Sequence, residues 1–182
     1  MAEAENLFAE SLEDAKIKKF NERSRLDKFN IDKTLYKEIQ KFTIFADAGR
    51  KAFEPASAED LKGLIESMER TQAYRDRLTT INIQASLAID ELNTLLKSGE
   101  AYLFTEYPHL MKKCGNKETR DAAVTFVYGP LCRALAQWKS LKSIVDIAHT
   151  NLNNTYFALR EIGENGRNII ENRKVRRSFD AV

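Results

Sequence analysis

The sequence predicts an all-α protein: an elongated helical bundle with two long antiparallel helices and short N-terminal helices. The first observation is the scarcity of helix breakers, since the 182 residues include only seven glycines and three prolines. The second is that apolar residues recur with heptad spacing along 57–97 and 131–162, as in helices that pack along their length. One domain or one extended bundle suits this chain length. We divide it into N-terminal helices (1–56), a long-helix core (57–163) and a basic tail (164–182).

The N-terminal part opens with an acidic head. Residues 1–14 contain five acids and no base, whereas residues 16–41 contain nine Lys or Arg against four acids. A weak apolar stripe predicts one helix that spans the change from acidic to basic residues; its members are Leu7, Phe8, Leu12, Ala15 and Phe20. Asn30 is predicted to cap a second helix, which Gly49 and then Pro55 close.

The first long helix is predicted to run from Ser57, whose side chain can cap it, to Lys97, with Ser98-Gly99 ending it. Its stripe is apolar at both ends and polar in the middle, at Thr71, Arg75 and Asn82. Two interpretations stay open for these three residues. They fix helix register and oligomeric state, or they mark where a ligand meets the helix.

Short elements are predicted between the long helices. Pro108 interrupts one helix, Asn116 caps the next, and Gly129-Pro130 forces a kink or a break because proline lacks an amide hydrogen. Four aromatic residues crowd this region: Phe104, Tyr107, Phe126 and Tyr128. They are expected to fill the space where helix ends meet, and a stacking platform for nucleic-acid bases is the alternative.

The second long helix is predicted over residues 131–162. Its stripe comprises Leu131, Ala134, Trp138, Leu141, Val145, Ala148, Leu152, Thr155, Leu159 and Ile162. A single helix cannot bury such a stripe, so a partner helix is needed in this chain or in another copy. Trp138, in the middle of the stripe, is predicted to be a core residue. Gly163 and Gly166 are predicted to end the helix, and the tail beyond them can form one more short helix with a basic face.

Enzymatic motifs and cofactor sites are not evident. Cys114 and Cys132 form no Cys-x-x-Cys pair, which predicts neither a zinc ribbon nor a disulfide framework. His109 and His149 each stand alone in sequence. We therefore expect no enzyme, no metal and no cofactor. The acidic N-terminus is unlike a signal peptide and no run of about 18 apolar residues occurs, so we expect a cytoplasmic protein without a membrane partner.

The functional prediction rests on clusters of basic residues, because a net charge of +2 for the whole chain is too small to indicate nucleic-acid binding by itself. Bases grouped on helices attract phosphate chains through counterion release. The residues predicted to bind nucleic acid are Arg70, Arg75, Arg77, Arg167, Arg173, Lys174, Arg176 and Arg177. A further group lies at Lys16, Lys18, Lys19, Arg23 and Arg25. Stabilisation of helix dipoles is the alternative role for all of these bases.

The order of these elements resembles a known family. A long helix with bases from Glu69-Arg70 to Arg77 leads into a Tyr-rich connector, and a polar turn at 116–121 then opens the long helix from Leu131 to Arg160. Over residues 60–165 this layout resembles the phage recombination mediator proteins of the UvsY type. The resemblance implies an all-helical, ring-like homo-oligomer that binds single-stranded DNA through basic residues and helps to load a recombinase. The tail from Gly163 to Val182 departs from that pattern.

We therefore interpret the chain as a non-enzymatic, homo-oligomeric accessory protein that binds single-stranded nucleic acid. Two alternatives stay open. One is a phage structural or assembly protein, in which the heptad stripes build a shell and the bases contact neighbouring subunits. The other is an adaptor or inhibitor that uses its acidic head against a basic protein partner.

Overall fold

The structure is a computed structural model that describes residues 8–52 and 61–179, and every regular element in these two ranges is helical. The two 3₁₀ helices are Glu10–Glu13 and Asp27–Phe29. The α-helices are α1 (Ala15–Arg23), α2 (Lys33–Ala52), α3 (Leu61–Glu106), α4 (Pro108–Lys113), α5 (Lys117–Val127) and α6 (Gly129–Phe179). The all-α prediction with two long helices is confirmed: α3 has 46 residues and α6 has 51.

The chain divides into two compact units. Unit 1 contains the residues up to Asp32 together with Ile83–Lys142, and unit 2 contains Lys33–Asn82 and the residues from Ser143 onward. The first part of α3 therefore lies in unit 2 and its second part in unit 1, while the order is reversed for α6.

The predicted stripe of α6 is buried. All of its members have less than a tenth of their surface exposed except Ile162, which is half-buried. Trp138 is confirmed as a core residue of unit 1, where its indole Nε1 donates a hydrogen bond of 2.9 Å to the carbonyl oxygen of Phe29. The indole is thus packed and its one polar atom is paired.

In unit 2, α3 and α6 are antiparallel. Residues later in α3 contact residues earlier in α6: Leu64 meets Gly163, Arg75 meets Tyr156, and Asn82 donates to Asp146 at 2.7 Å. The α2 helix packs beside them, and the Thr155 hydroxyl donates to the Ala46 carbonyl at 3.1 Å. Phe42 stacks on Tyr74 with ring centroids 4.4 Å apart, and Phe45 meets the same ring edge-on.

The polar residues in the middle of α3 make specific contacts. Thr71 is fully buried and its hydroxyl donates to the Ser67 carbonyl of the preceding turn at 2.6 Å. Arg75 and Asn82 reach α6, as described above. Polar pairs of this kind are satisfied only in one alignment of the two helices, which favours the register interpretation for Asn82.

The predicted ends of both long helices are wrong. The first helix was expected to stop at Ser98-Gly99 and continues to Glu106; the second was expected to stop at Gly163 and continues through Gly166 to Phe179. Gly99 lies under the Tyr128 ring, where an added Cβ would come within 2.8 Å of Cζ, and the Tyr128 hydroxyl donates to the Gly99 carbonyl at 2.8 Å.

Close helix packing explains why these glycines do not end the helices. At Gly163 an added Cβ would lie 3.1 Å from the Leu64 side chain. A glycine inside a helix costs roughly 0.5–1 kcal/mol relative to alanine. Full burial of a large apolar side chain stabilises by about 1.5–3 kcal/mol, so room for Tyr128 or Leu64 outweighs that cost.

Three N-terminal predictions are also corrected. The single first helix is instead a 3₁₀ turn and α1, separated at Asp14, whose backbone is extended. The second helix begins at Lys33 rather than after Asn30, and it continues past Gly49 to Ala52 because Gly49 packs against the Thr155 methyl group. Leu7, Pro55 and the Ser57 cap lie outside the described residues.

The connector follows the prediction closely. Pro108 occupies the first turn of α4, and Asn116 caps α5 in a reciprocal capping box with Thr119. The helical structure is interrupted at Tyr128, and α6 begins at Gly129-Pro130. Tyr128 is fully buried in unit 1, so it fills space between helix ends as expected. Burial raises the pKa of its phenol.

Asp14 anchors the start of α1. One carboxylate oxygen accepts from the Lys16 amide at 2.7 Å, and the other accepts from the hydroxyls of Tyr107 and Tyr102 at 2.7 and 3.0 Å. The Tyr107 hydrogen bond is the main cause that lowers the pKa of Asp14. The same contact raises the pKa of Tyr107 to about 12. Tyr107 thus stabilises the fold below about pH 10, and this contribution is lost as the pH rises towards 12.

The packing of Trp138 is tested by substitution. We expect Trp138→Ala to lower the free energy of unfolding by about 3–5 kcal/mol, because it leaves a cavity and an unpaired carbonyl at Phe29. Trp138→Phe keeps most of the volume and loses only the hydrogen bond, so its cost should be smaller, about 1–3 kcal/mol. Urea unfolding followed by circular dichroism measures both. An alanine variant that unfolds with the parent would show that the indole is not in the core.

The charge on Asp14 is tested by Asp14→Asn, since asparagine retains the ability to cap a helix. A carboxyl whose pKa is lowered by folding stabilises the protein at pH values above its unfolded pKa, and loses that effect as the pH falls through its folded pKa. The parent should therefore be the more stable protein at neutral pH, with the difference narrowing below about pH 4. Thermal unfolding across this range measures the difference, and a pH-independent difference would contradict this role.

Candidate nucleic-acid interface

All eight residues predicted to bind nucleic acid belong to unit 2. Arg70, Arg75 and Arg77 lie on α3 and Arg167 lies on α6. The other four are in the last turns of α6, and their side chains lie outside the described part of the structure; they are Arg173, Lys174, Arg176 and Arg177. The geometry of the site therefore rests on four of the eight residues.

Arg77 is the least available of these four. Its guanidinium forms a bidentate pair with the Glu38 carboxylate of α2, with Nε–Oε1 and Nη2–Oε2 distances of 2.9 and 3.0 Å. The hydrogen bond to Glu38 raises the pKa of Arg77. Both side chains are partly exposed, so the pair contributes little to stability. A phosphate would nevertheless have to displace Glu38 before it could use Arg77.

Arg70 is exposed on α3, one turn before Tyr74. Its guanidinium carbon lies 5.9 Å from the ring centroid of Phe45. Within the described ranges it makes no ion pair. It can therefore contribute a contact to a phosphate from a position beside the Phe45 ring.

Arg75 is half-buried against an aromatic ring. Its guanidinium carbon lies 4.9 Å from the ring centroid of Tyr156, a cation–π distance, and Nη1 donates to the Gln72 side chain at 2.8 Å. The buried Nε has no hydrogen-bond partner among the described residues. A buried donor without an acceptor is costly to the fold.

Tyr156 also forms part of an open cleft of about 450 Å³ between α3 and α6 in unit 2. Leu64, Ile65 and Met68 form its apolar side. The residues lining it from α6 are Tyr156, Arg160, Gly163, Glu164 and Arg167. We name it the Tyr156 cleft. It brings together an aromatic ring, an apolar wall and arginines, which is the combination that base stacking and phosphate contacts require.

The two arginines of the cleft differ in their partners. Arg160 pairs with Glu164 one turn later, with an Nε–Oε1 distance of 2.9 Å, and both side chains are exposed. Arg167 is exposed and has no carboxylate partner in the described part of the chain. An exposed pair between neighbouring turns is worth about 0.3–0.5 kcal/mol, so Arg160 can exchange Glu164 for a phosphate at little cost.

Of the four predicted residues that can be placed, Arg167 alone lines the Tyr156 cleft; Arg75 contacts the Tyr156 ring from outside the lining, and Arg70 and Arg77 also lie outside it. The prediction missed Tyr156 and Arg160. A signal for them exists, because residues 156, 160, 163 and 167 are spaced as one face of a continuous helix. The expected helix end at Gly163 concealed that face.

Other kinds of site find less support in the described residues. His109 is exposed, and the ring nitrogen Nδ1 of His149 lies 3.2 Å from the amide nitrogen of Asn153 on its own helix. Within the described ranges, no group of three or more His, Cys, Asp or Glu side chains could hold a metal ion. Neither of the long helices, nor any other described helix, has an apolar stretch sufficient to cross a membrane.

Comparisons with protein-family models, with curated proteins and with solved structures found no match for this chain. The fold and the Tyr156 cleft are therefore the basis for a functional proposal.

Proposed function

We propose that this chain is a non-enzymatic accessory protein that self-associates and binds single-stranded nucleic acid, in the manner of a phage recombination mediator. The observation that carries the proposal is that Arg160 and Arg167 line one cleft with the aromatic ring of Tyr156. Each base of a single strand offers an aromatic face, and its phosphates offer charge at regular intervals. The cleft has a partner for both.

Different residues of the cleft contact the nucleobase and the phosphates in this proposal. Tyr156 and the apolar side at Met68 accept a base, while Arg160 and Arg167, about 10 Å apart along α6, contact phosphates. Arg75 helps to hold the Tyr156 ring in place, with its guanidinium carbon 4.9 Å from the ring centroid. The four basic residues of the tail follow later in the same helix. Cleft and tail together form one proposed path for the strand.

Exposed apolar residues support the proposal of self-association. On α3, Ile83 and Leu87 are one turn apart, and 56% and 65% of their surfaces are exposed. In unit 2, Ile147 of α6 and Ile44 of α2 are each 61% exposed. Neighbouring large apolar residues at the surface, such as Ile83 and Leu87, are typical of contacts between protein chains. The same observation favours the second candidate function, an assembly protein whose copies build a shell.

The experiment compares oligonucleotide binding by the parent and by Arg160→Gln/Arg167→Gln. Loss of two phosphate contacts should weaken binding. It should also reduce the steepness of the slope of log affinity against log salt by about 1.4, from roughly 0.7 per contact on a single strand. A tail variant with alanine at positions 173, 174, 176 and 177 should reduce the steepness of this slope by about 3. Fluorescence anisotropy with a labelled oligonucleotide measures both effects.

Lys37→Gln/Lys41→Gln is the matched control, because it removes two exposed bases of unit 2 from α2, away from the cleft. The control should bind as the parent does, and all variants should keep the parental melting temperature. A parent that binds no oligonucleotide contradicts the proposal and leaves the assembly function as the better one. Equal weakening by the cleft variant and the control would show that net charge alone is responsible.

A further inference from the structure

Unit 1 carries a second group of bases, on one face of α1. Lys16, Lys19, Phe20 and Arg23 line a shallow cleft of about 230 Å³. Their spacing of three and four residues places them side by side on the helix surface. Three basic residues and one aromatic residue therefore share this cleft, which lies in a different unit from the Tyr156 cleft.

The floor of this α1 cleft is aromatic. Phe20 is half-buried; its ring meets Tyr128 edge-on at a centroid distance of 5.9 Å and lies 6.4 Å from the Tyr102 ring. The Arg23 guanidinium is 5.9 Å from the Phe20 centroid, and the Lys16 ammonium is 5.0 Å from the Tyr102 centroid. The cations thus lie over the aromatic rings and border the accessible part of Phe20.

A polar cleft of about 380 Å³ follows directly along the chain. Its lining includes two arginines, Arg25 and Arg133, and two residues with side-chain amides, Asn30 and Gln137. Guanidinium and amide donors together suit a phosphate, which offers several acceptor oxygens. We call this the Arg25–Arg133 cleft. Because Arg23 lines one cleft and Ser24 and Arg25 line the other, the basic surface continues from α1 into it.

These charges are not compensated within the described residues. No carboxylate lines either cleft, and none of the five bases takes part in an ion pair in the described ranges. The neighbouring Lys18, by contrast, pairs with Glu13 at 2.6 Å. Arg77 and Arg160 of unit 2 are also paired, so uncompensated charge distinguishes this surface of unit 1 from those positions.

The surface is held in place by its own contacts. Asp14 caps α1, Ile17 is fully buried, and the Asn21 side chain donates to the Val127 carbonyl at 2.9 Å. A helix that is fixed at its start and on its inner face presents its outer face with little further loss of entropy on binding.

We infer that Lys16, Lys19, Arg23, Arg25 and Arg133 form a second binding surface for a nucleic-acid single strand, with Phe20 as a stacking face for a base. The inference rests on the proposed function for the identity of the ligand. An acidic protein would also be attracted by the charges. The aromatic floor favours the nucleic acid, because it gives a base a flat partner between the phosphate contacts.

The test is a charge variant of unit 1, measured by anisotropy with the labelled oligonucleotide. Its four changes are Lys19→Gln, Arg23→Gln, Arg25→Gln and Arg133→Gln. Over an increase in salt from roughly 50 to 200 mM, the affinity of the parent should fall about 50-fold more than that of the variant, since four single-strand contacts contribute about 0.7 each to the salt slope. The matched control removes four exposed bases of unit 1 that line neither cleft: Lys97→Gln, Lys112→Gln, Lys117→Gln and Lys139→Gln.

The outcomes separate this inference from the proposed function. If the parent binds the oligonucleotide and the unit 1 variant binds it equally well, the second surface is overturned while the Tyr156 cleft stands. Equal loss in the variant and the control also overturns the second surface, because net charge then accounts for the effect. A parent that binds no oligonucleotide overturns both. Weakening confined to the unit 1 variant, at unchanged melting temperature, supports the inference.

The stacking role of Phe20 is tested separately with Phe20→Leu, which keeps an apolar side chain against Tyr128. Oligonucleotide binding should weaken about fivefold or more, the effect expected for loss of one stacked base. Binding of polyphosphate, which has charge and no bases, should not change. If the variant loses affinity for both ligands alike, or for neither, Phe20 does not stack on a base.

Discussion

The structure depends on the burial of one narrow apolar stripe along each long helix. The stripe of α6 supplies core residues to both units: Leu131, Trp138 and Leu141 in unit 1, and Val145 and Leu152 in unit 2. The buried residues of α3 also recur in sevens, at Leu64, Thr71, Leu78, Ala85 and Leu92. Helices with stripes this narrow bury them only against other helices, and the shorter helices α1 and α2 therefore lie where they complete the cover.

Small residues and hydrogen bonds give this packing its specificity. Gly99 admits the Tyr128 ring and accepts its hydrogen bond, and Gly163 admits Leu64. Thr155 and Trp138 donate from α6 to carbonyl groups in the N-terminal half of the chain, at Ala46 and Phe29. Buried donors must find an acceptor, so each of these contacts selects one alignment of the packed segments.

The sequence predicted what is periodic or local, and it did so for physical reasons. The α6 stripe and the burial of Trp138 follow from helical spacing, and the Asn116 cap and the break before Pro130 follow from backbone chemistry. The continuation of the helices through Gly99 and Gly163 could not be predicted, because those glycines make room for side chains distant in sequence, Tyr128 and Leu64. The Tyr156 cleft was predicted only in part for the same reason: Met68 of α3 and Tyr156 of α6 are far apart in sequence and line one cleft only once the two helices pack.

The proposed function depends on the open faces of two helices. Helix packing leaves one face of α6 and one face of α1 open, and each face combines an aromatic ring with basic residues. Apolar residues such as Leu87 and Ile147 are exposed, and the proposed self-association would cover them. A self-associating protein that presents such faces repeatedly could hold a single strand along its length, with affinity increased by the number of linked sites.

Sedimentation velocity with a labelled single-stranded oligonucleotide tests this central claim most directly, since it reports the mass of the protein and the association of the strand together. At tens of micromolar protein, roughly the range in which modest contacts between copies form, the account predicts a species of several times 20.8 kDa with which the label sediments. A single 20.8 kDa species that leaves the label at the rate of free oligonucleotide would contradict it.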